Sequence, residues 1–383
     1  MALPLLPLIL ERIRARGPMT VAEYVDLALY HPEGGYYATA TQRSGRSGDF
    51  FTSVDVGPLF GGLLAVQIAE MLRILGAGAP ASASGDGTSG PGFDLVEAAA
   101  GNGRLARDIL DALEARDPDL LAALRVHLVE RSPQARAAQP GVLGPHAPKL
   151  TSSGPDVPAG VTGVILANEL LDALPPNLVV RRKDGLREVF VDAVAGTLVT
   201  RECPPSSPLL QEYLDEVRVD LETGCFAEIN LAASAWVREA ARRLARGFLI
   251  LIDYGHEARR LYSAAHADGT LTSYLAHVAE PRRSGPGWLE DPGARDITSH
   301  VDLTGIGLAA EAEGLDPVGV ADQTYFLLAL VAEASSFIDG LRGRLALKTL
   351  LMPGGLGSSH KVLVFSRGVG ERPLVGFSAE RLT

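Results

Sequence analysis

A short glycine-rich turn between an apolar run and a helix is the feature that most limits how this chain can fold. It lies in FDLVEAAAGNGRL, residues 93–105. The pattern at 94–97 indicates a buried strand, and Ala99, Gly101 and Gly103 then allow a tight turn and the close approach of a ligand. Because α/β proteins also make such turns for packing alone, the turn by itself leaves a ligand loop and a packing turn equally open.

An acid at the end of the next strand favours the ligand loop. The run at 126–130 ends in Glu130, whose carboxylate can accept hydrogen bonds from both hydroxyls of a ribose. With Glu97 at the end of the preceding strand, this predicts a site for an adenosine-containing cofactor. The turn has no lysine followed by serine or threonine, which argues against a triphosphate-binding P-loop.

Composition excludes several classes of function. The chain has 383 residues, 46% of them hydrophobic, so it can bury a large core in one elaborated domain or two. A net charge of −11 and the lack of a long Lys/Arg run argue against a nucleic-acid partner. Cys203 and Cys225 are too few for a disulfide framework and lack metal-ligand spacing, so we expect a reducing compartment and no metal site. The apolar start resembles neither a membrane span nor a secretory signal, which predicts a cytoplasmic protein with no membrane partner.

Strand and helix patterns alternate from residue 93 onwards. Strands are predicted at 94–97, 126–130, 149–152, 161–167, 248–255, 315–323 and 360–368, the last of them antiparallel at the edge of the sheet. This α/β alternation predicts a parallel sheet with helices on both faces and ligands at the carboxyl ends of its strands. Asn168, Glu169 and Asp172 follow one such strand, and Asp253 lies near the end of another. We expect the reactive end of the cofactor there.

Five segments are expected. They are an N-terminal helical cap, 1–75; a flexible linker, 76–92; the first half of a Rossmann-like core, 93–175; an inserted hairpin and helical substrate region, 176–246; and the second half of the core with a long active-site loop, 247–383. The linker is predicted from its Gly/Ala/Ser/Pro composition, and the insertion from alternating strands with hairpin-like turns at 183–185 and 194–196. Residues 256–296 are predicted to be irregular, and residues 326–344 to form one helix. Thr20, with Glu23 three residues later, predicts a capping box at the start of the second N-terminal helix.

Two further stretches contribute candidate site residues. The loop containing Gly48, Thr52 and Ser53 is rich in glycine and hydroxyl groups and precedes a helix, so it could close over a ligand, with an ordinary surface loop as the equal alternative. In ITSHVD, Asp302 is predicted to cap the following helix, and His300 is a candidate site residue.

Six motifs together carry a resemblance to a known family. They are YHPEGGYY (30–37), GDFFTS (48–53), residues 97–103, NELLDALP (168–175), DYG (253–255) and TSHVD (298–302). In this order they resemble the class I S-adenosylmethionine-dependent methyltransferases and, more narrowly, the MidA family, whose mitochondrial member is an arginine methyltransferase that assists assembly of respiratory complex I. The chain departs from that family at Ala99 and Ala100, where glycine and proline are usual, at Val54 and Asp55, where Pro-Glu is usual, and at Gly62, where glutamate is usual.

The resemblance implies a Rossmann-like seven-stranded methyltransferase sheet, with S-adenosyl-L-methionine as cofactor and an arginine side chain of a protein as acceptor. Such an enzyme mainly aligns a nucleophile with an electrophilic methyl group, and carboxylates orient the cationic guanidinium; Glu228 is a further acid placed for this task. The predicted cofactor-binding residues are Gly48, Thr52, Ser53, Glu97, Ala99, Gly101, Gly103, Glu130, Asn168 and Glu169. The predicted catalytic residues are Glu169, Asp172, Asp253 and His300.

Two alternative functions remain open at this point. A nicotinamide-dependent dehydrogenase would share the glycine turn and the ribose acid, but it requires a catalytic lysine, histidine or tyrosine pattern that we do not find. A methyltransferase-shaped assembly factor without activity is the second alternative, and the acids at strand ends argue against it. The sequence leaves the substrate protein and the oligomeric state open, a homodimer being one option.

Overall fold

The computed structural model describes residues 4–39, 52–77, 92–275, 278–279, 286–338, 340–352 and 356–378. The chain divides into two compact units: unit 1 holds 1–51, 171–237 and 255–309, and unit 2 holds 52–170, 238–254 and 310–383. This division differs from the expected segments, because residues 52–75 belong to unit 2 and residues 255–309 to unit 1. Gly48 and residues 78–91 of the expected linker lie outside the described residues.

The helices are α1 (Leu5–Arg16), α2 (Val21–Tyr30), α3 (Tyr36–Thr39), α4 (Leu59–Ala77), α5 (Arg104–Arg116), α6 (Pro118–Ala123), α7 (Pro133–Leu143), α8 (Leu209–Glu216), α9 (Leu231–Arg243), α10 (Ala258–Leu261), α11 (Leu303–Ala312), α12 (Gln323–Val331), α13 (Gly340–Leu351) and α14 (Leu356–Ser359). The strands are β1 (Met19–Thr20), β2 (Phe93–Ala98), β3 (Leu124–Val129), β4 (Leu150–Gly154), β5 (Val161–Asn168), β6 (Asn177–Arg182), β7 (Gly185–Val194), β8 (Thr197–Cys203), β9 (Phe226–Ile229), β10 (Leu244–His256), β11 (Thr272–Leu275), β12 (Val278–Ala279), β13 (Asp296–Thr298), β14 (Val301–Asp302), β15 (Asp316–Asp322) and β16 (His360–Arg367).

Unit 2 is built on a seven-strand path in the order β15-β16-β10-β5-β2-β3-β4. Strands β10, β5, β2, β3 and β4 run parallel, so their carboxyl ends share one edge. Strand β16 is antiparallel, as predicted, but it lies between β10 and β15 rather than at the edge. The predicted seven-stranded α/β sheet is confirmed.

Helix α4 lies in the core of unit 2. Phe60, Leu64 and Ile68 are fully buried. At Gly61 a Cβ would come within 2.5 Å of the Asp108 Cβ, so glycine allows α4 to pack closely against α5. Residues 59–76 are long and apolar enough to cross a membrane, but 78% of this stretch is buried inside the protein, as in a core helix. This burial explains why residues 59–77 group with the sheet rather than with the N-terminal helices.

Unit 1 combines the N-terminal helices with an antiparallel sheet in the order β1-β7-β6-β9, with β8 paired to β7. The capping box of α2 is confirmed: the Glu23 N–H donates to Thr20 Oγ1 (3.1 Å), and the Thr20 N–H donates to Glu23 Oε2 (3.0 Å). Both predicted hairpin turns are confirmed, since β6 pairs with β7 and β7 with β8.

Two local predictions are wrong. The segment 256–296 is not wholly irregular, because β11 pairs with β12 and β13 in a small antiparallel sheet. These strands have only two to four residues, too few to show a period in the sequence. The single helix predicted at 326–344 is two helices, α12 and α13, separated by a 3₁₀ segment at 332–337.

Candidate functional site

The glycine turn of unit 2 forms as predicted. Strand β2 ends at Ala98, and Ala99 (φ 55°), Gly101 (φ 52°) and Gly103 (φ 86°) all take left-handed conformations before α5 begins. A Cβ added at Gly101 would meet nothing within 4 Å, so open space lies beside the backbone there. Ala99 adopts the left-handed conformation despite its Cβ, at a cost of about 1–2 kcal/mol.

Glu130 follows β3 and holds the glycine turn. Its Oε2 accepts a hydrogen bond from the Gly101 N–H (3.0 Å), and its Oε1 accepts one from the Ser132 N–H (2.7 Å). The residue is half-buried. Each carboxylate oxygen can accept a second hydrogen bond, so a carboxylate fixed in this way suits the hydroxyl groups of a ribose.

Glu97 is hydrogen-bonded to the first turn of α5. Its side chain is buried, and Oε2 accepts a hydrogen bond from the Ala106 N–H (2.9 Å). Burial raises the pKa of Glu97 to about 8, although the bond from Ala106 opposes the rise. At neutral pH its carboxyl group is therefore mainly protonated, and its role in cofactor binding stays a prediction.

The turn after β5 fixes a second carboxylate. Glu169 has a left-handed backbone (φ 50°), and its N–H donates to the Ile252 carbonyl of β10 (2.8 Å). Its Oε1 accepts hydrogen bonds from the Ser53 N–H (3.4 Å) and from Asn168 Nδ2 (3.3 Å), and His360 Nε2 lies 3.7 Å away. Within the described residues, Asn168 Oδ1 is buried and has no hydrogen-bond partner. A buried acceptor of this kind suits a ligand that brings a donor.

The hydroxyl-rich loop also contacts the glycine-turn helix. The N–H and Oγ1 of Thr52 both donate to Asp55 Oδ2 (3.0 Å), and Asp55 Oδ1 accepts from Arg104 Nη2 (2.7 Å). Thr52 therefore caps its own short helix, while Ser53 contacts Glu169. Asp55, where the family usually has glutamate, ties this loop to α5.

Asp253 is almost fully buried near the end of β10, where its Oδ1 accepts a hydrogen bond from the Tyr254 N–H (2.9 Å). It directly follows Ile252, whose carbonyl receives the Glu169 N–H. The structure thus brings Glu169, Asn168 and Ser53 together in unit 2, with Asp253 beside them in the sheet.

The remaining predicted residues lie in unit 1. Asp172 Oδ2 accepts a hydrogen bond from Thr298 Oγ1 (2.8 Å), and the His300 N–H donates to Thr270 Oγ1 (3.1 Å). Asp302 Oδ1 accepts from the N–H groups of residues 304 and 305 (3.0 and 3.2 Å), which confirms it as the cap of α11.

A cavity of about 560 Å³ in unit 1 was not predicted. Its walls include three acids, Glu202, Glu228 and Asp268, and the aromatic side chains of Phe226 and Trp288. Strands β6, β7, β8 and β9 supply part of this lining, and residues 268, 271, 286 and 288 supply the rest. Because these segments are distant in the sequence, no local pattern predicts the cavity.

Glu228 is the buried acid of this cavity. Its carboxylate accepts hydrogen bonds from the N–H groups of Thr270 and Leu271 (2.9 and 3.0 Å) and from Thr270 Oγ1 (3.0 Å). Burial raises its pKa, and these hydrogen bonds oppose the rise. The cavity therefore combines a firmly held acid with further acidic, aromatic and aliphatic side chains on its walls.

Comparison with known proteins identifies relatives along most of the chain. The protein arginine methyltransferase NDUFAF7 homologue of Drosophila melanogaster is 28% identical over an alignment that covers 96% of this chain and 87% of that protein. The Rattus norvegicus protein of the same name is 30% identical, with 85% of this chain and 73% of that protein covered.

These relatives correct one expectation. Both are named as mitochondrial proteins, so the predicted cytoplasmic location is wrong by this comparison. The prediction rested on cysteine usage and on the apolar start of the chain, and sparse cysteines indicate a reducing environment without telling one reducing compartment from another.

A solved structure and a family model agree on the fold and the cofactor. A protein of Burkholderia thailandensis that is described as a likely methyl transferase and was crystallised bound to S-adenosyl-homocysteine superposes with a TM-score of 0.81 and 30% identity. The match covers 97% of this chain and 93% of that chain. The left-handed glycine turn, the fixed carboxylate of Glu130 and the buried Asn168 Oδ1 fit such a cofactor. The family model, described as S-adenosyl-L-methionine-dependent methyltransferase, matches residues 63–321. The chain therefore belongs to this family of S-adenosyl-L-methionine-dependent methyltransferases.

Proposed function

We propose that this enzyme methylates an arginine side chain of a protein substrate. The observation that carries the proposal is the turn after β5, where the Glu169 carboxylate is fixed by Ser53 and Asn168 at the carboxyl edge of the sheet. The relatives named as protein arginine methyltransferases support the choice of acceptor. A nicotinamide-dependent dehydrogenase is not supported, because the family is one of methyltransferases.

The residues proposed to hold the cofactor are those of the glycine turn, with Glu130 on the ribose hydroxyls and Asn168 Oδ1 accepting from a donor of the ligand. When bound, the cofactor supplies an electrophilic methyl group on a positively charged sulfur. Gly101 leaves room for the ligand beside the backbone, and Glu97 keeps the start of α5 in place through Ala106.

In this proposal, acidic side chains also orient the guanidinium group of the acceptor arginine. A guanidinium group stays cationic at all ordinary pH values, so carboxylates must orient it and offset its charge. We assign this role to Glu169 and Asp253 of unit 2, and the catalytic role of Asp172, which lies in unit 1, stays a prediction from the sequence. His300 is also a predicted catalytic residue, but its position beside two other histidines favours a different role.

The cavity of unit 1 supports a cationic acceptor. Acids and aromatic rings on the same walls attract a guanidinium by charge and by cation–π contact, the latter contributing about 0.5–2 kcal/mol. In this proposal the buried Glu228 belongs to a cavity of unit 1 that binds a cationic part of the substrate protein.

Two experiments test the function. S-adenosyl-homocysteine at about a hundred times its dissociation constant should add about 2.7 kcal/mol to the free energy of unfolding, while NAD should add nothing. Labelled methyl groups should then appear on arginine in a lysate treated with the wild-type enzyme. The matched control is an Asn168→Ala, Glu169→Gln double variant. Label no higher than this control would favour an assembly factor without activity.

A further inference from the structure

Three histidines from separate segments of unit 1 meet in one cluster. The ring centroid of His256 lies 5.4 Å from that of His266 and 5.4 Å from that of His300. The centroids of His266 and His300 are 6.1 Å apart. One ring nitrogen of each residue lies within 4.8 Å of the others. The sequence predicted no metal ligand, because these histidines are far apart in the chain and form no recognised spacing.

The backbone holds all three positions. His256 ends β10 and pairs with Asp302 of β14, in register with the neighbouring pair of Gly255 and Val301. His300 immediately precedes β14, and its N–H is bonded to Thr270 Oγ1. A parallel strand pair therefore fixes the Cα positions of two ligands, which is the rigid support that a metal site requires.

His266 is held from a third direction. It ends a short 3₁₀ helix, and its carbonyl accepts the N–H of Gly269 (2.8 Å). Its Nδ1 lies 3.1 Å from the Arg260 carbonyl oxygen. Because a carbonyl only accepts, Nδ1 carries the proton, which leaves Nε2 as the ring nitrogen that can bind a metal. A backbone carbonyl that fixes the tautomer in this way is the usual outer partner of a metal-binding histidine.

We propose that His256, His266 and His300 bind a divalent transition-metal ion of the zinc class. Three imidazole nitrogens with an open fourth position are a common ligand set for Zn²⁺, at Zn–N distances of about 2.0–2.1 Å. Tetrahedral ligands at that distance are about 3.3 Å apart, so small rotations of the rings complete the site. The bound ion links the end of β10 to the residue that precedes β14.

A second group of possible ligands provides the control. In unit 2, Asp111, Glu114 and His146 also lie within ligand distance of one another. There His146 Nε2 already makes a hydrogen bond with Asp111 Oδ1 (2.8 Å), and Glu114 is well exposed. We therefore place the metal on the three histidines.

The test titrates the chelator-treated full chain with Zn²⁺ by calorimetry. The wild-type chain and a His146→Gln variant should each bind one ion, and His266→Gln should weaken binding by at least about a hundredfold, since it removes a direct ligand. Retained binding of S-adenosyl-homocysteine shows that each variant is folded and separates this result from the proposed function. Unchanged Zn²⁺ binding in His266→Gln, loss in His146→Gln, or no binding to the wild type would overturn the proposal.

A second readout does not depend on a variant. Co²⁺ bound to the wild-type chain in place of Zn²⁺ should give the intense visible absorption of a four-coordinate site with nitrogen ligands. The pale spectrum of six-coordinate Co²⁺ would contradict a three-histidine site.

Discussion

The buried Glu97 should make the stability of this enzyme depend on pH. We consider the substitution Glu97→Gln, in which the amide oxygen can still accept the Ala106 N–H and the side chain keeps its shape. Glutamine resembles the protonated glutamic acid that burial favours. The variant should therefore differ from the wild type only where Glu97 must ionise.

The magnitude follows from the pKa values of the folded and unfolded states. The pKa of Glu97 is about 8 when folded, against 4.5 as its ordinary value. Between these values the folded state binds more protons than the unfolded state, so the free energy of unfolding falls as pH rises. The fall is about 1.4 kcal/mol per pH unit, and the contribution is fully present below about pH 4.5 and lost above about pH 8.

Urea denaturation of both proteins between about pH 5.5 and about pH 7.5 measures this effect. The free energy of unfolding of the wild type should fall relative to that of Glu97→Gln by roughly 2–3 kcal/mol over this range. Subtracting the free energy of unfolding of the variant from that of the wild type removes the pH dependence that the other titratable groups contribute to both. Parallel curves would refute the reasoning, because they would mean that Glu97 ionises as freely in the folded protein as in the unfolded chain.

Three further predictions concern binding. Glu130→Ala should weaken S-adenosyl-homocysteine binding by at least about tenfold, since it removes a charged acceptor and leaves the Gly101 N–H without its partner; unchanged affinity by calorimetry would contradict the assignment. Gly101→Ala should cost about 1–2 kcal/mol of stability and lower that affinity further than Glu130→Ala does, because its Cβ enters the open space beside the turn. Glu228→Gln should raise the KM for an arginine-containing acceptor by about tenfold and leave cofactor affinity unchanged; a loss of cofactor affinity instead would exclude an acceptor role.

Sequence reasoning predicted the parts of the fold that long, regular patterns determine. The apolar runs of β2, β5 and β10 predicted the parallel sheet, and the positive φ values of Gly101 and Gly103 agree with the turn expected between β2 and α5. The capping box at Thr20 was predicted because its signal is local, three residues apart. The acids at strand ends were also identified from the sequence, because the apolar pattern shows where each strand ends.

Features that depend on contacts between distant segments were not predictable. The histidine cluster joins residues 256, 266 and 300, and the acidic cavity joins strands β6 to β9 with residues between 268 and 288. The hydrogen bond of Glu97 to Ala106 and the burial of its side chain also appear only in three dimensions, and its contact with the cofactor stays a prediction. The predicted cellular location was wrong because amino-acid composition carries little information about the compartment in which a protein works.

The most direct test of arginine methylation is mass spectrometry of the proteome of cells that lack this chain. Our account predicts that one or a few arginine residues lose their methyl groups. These groups should return when the wild-type gene is restored, but not when the Asn168→Ala, Glu169→Gln variant is restored. An unchanged set of methylated arginines, or recovery with the double variant, would contradict the central claim.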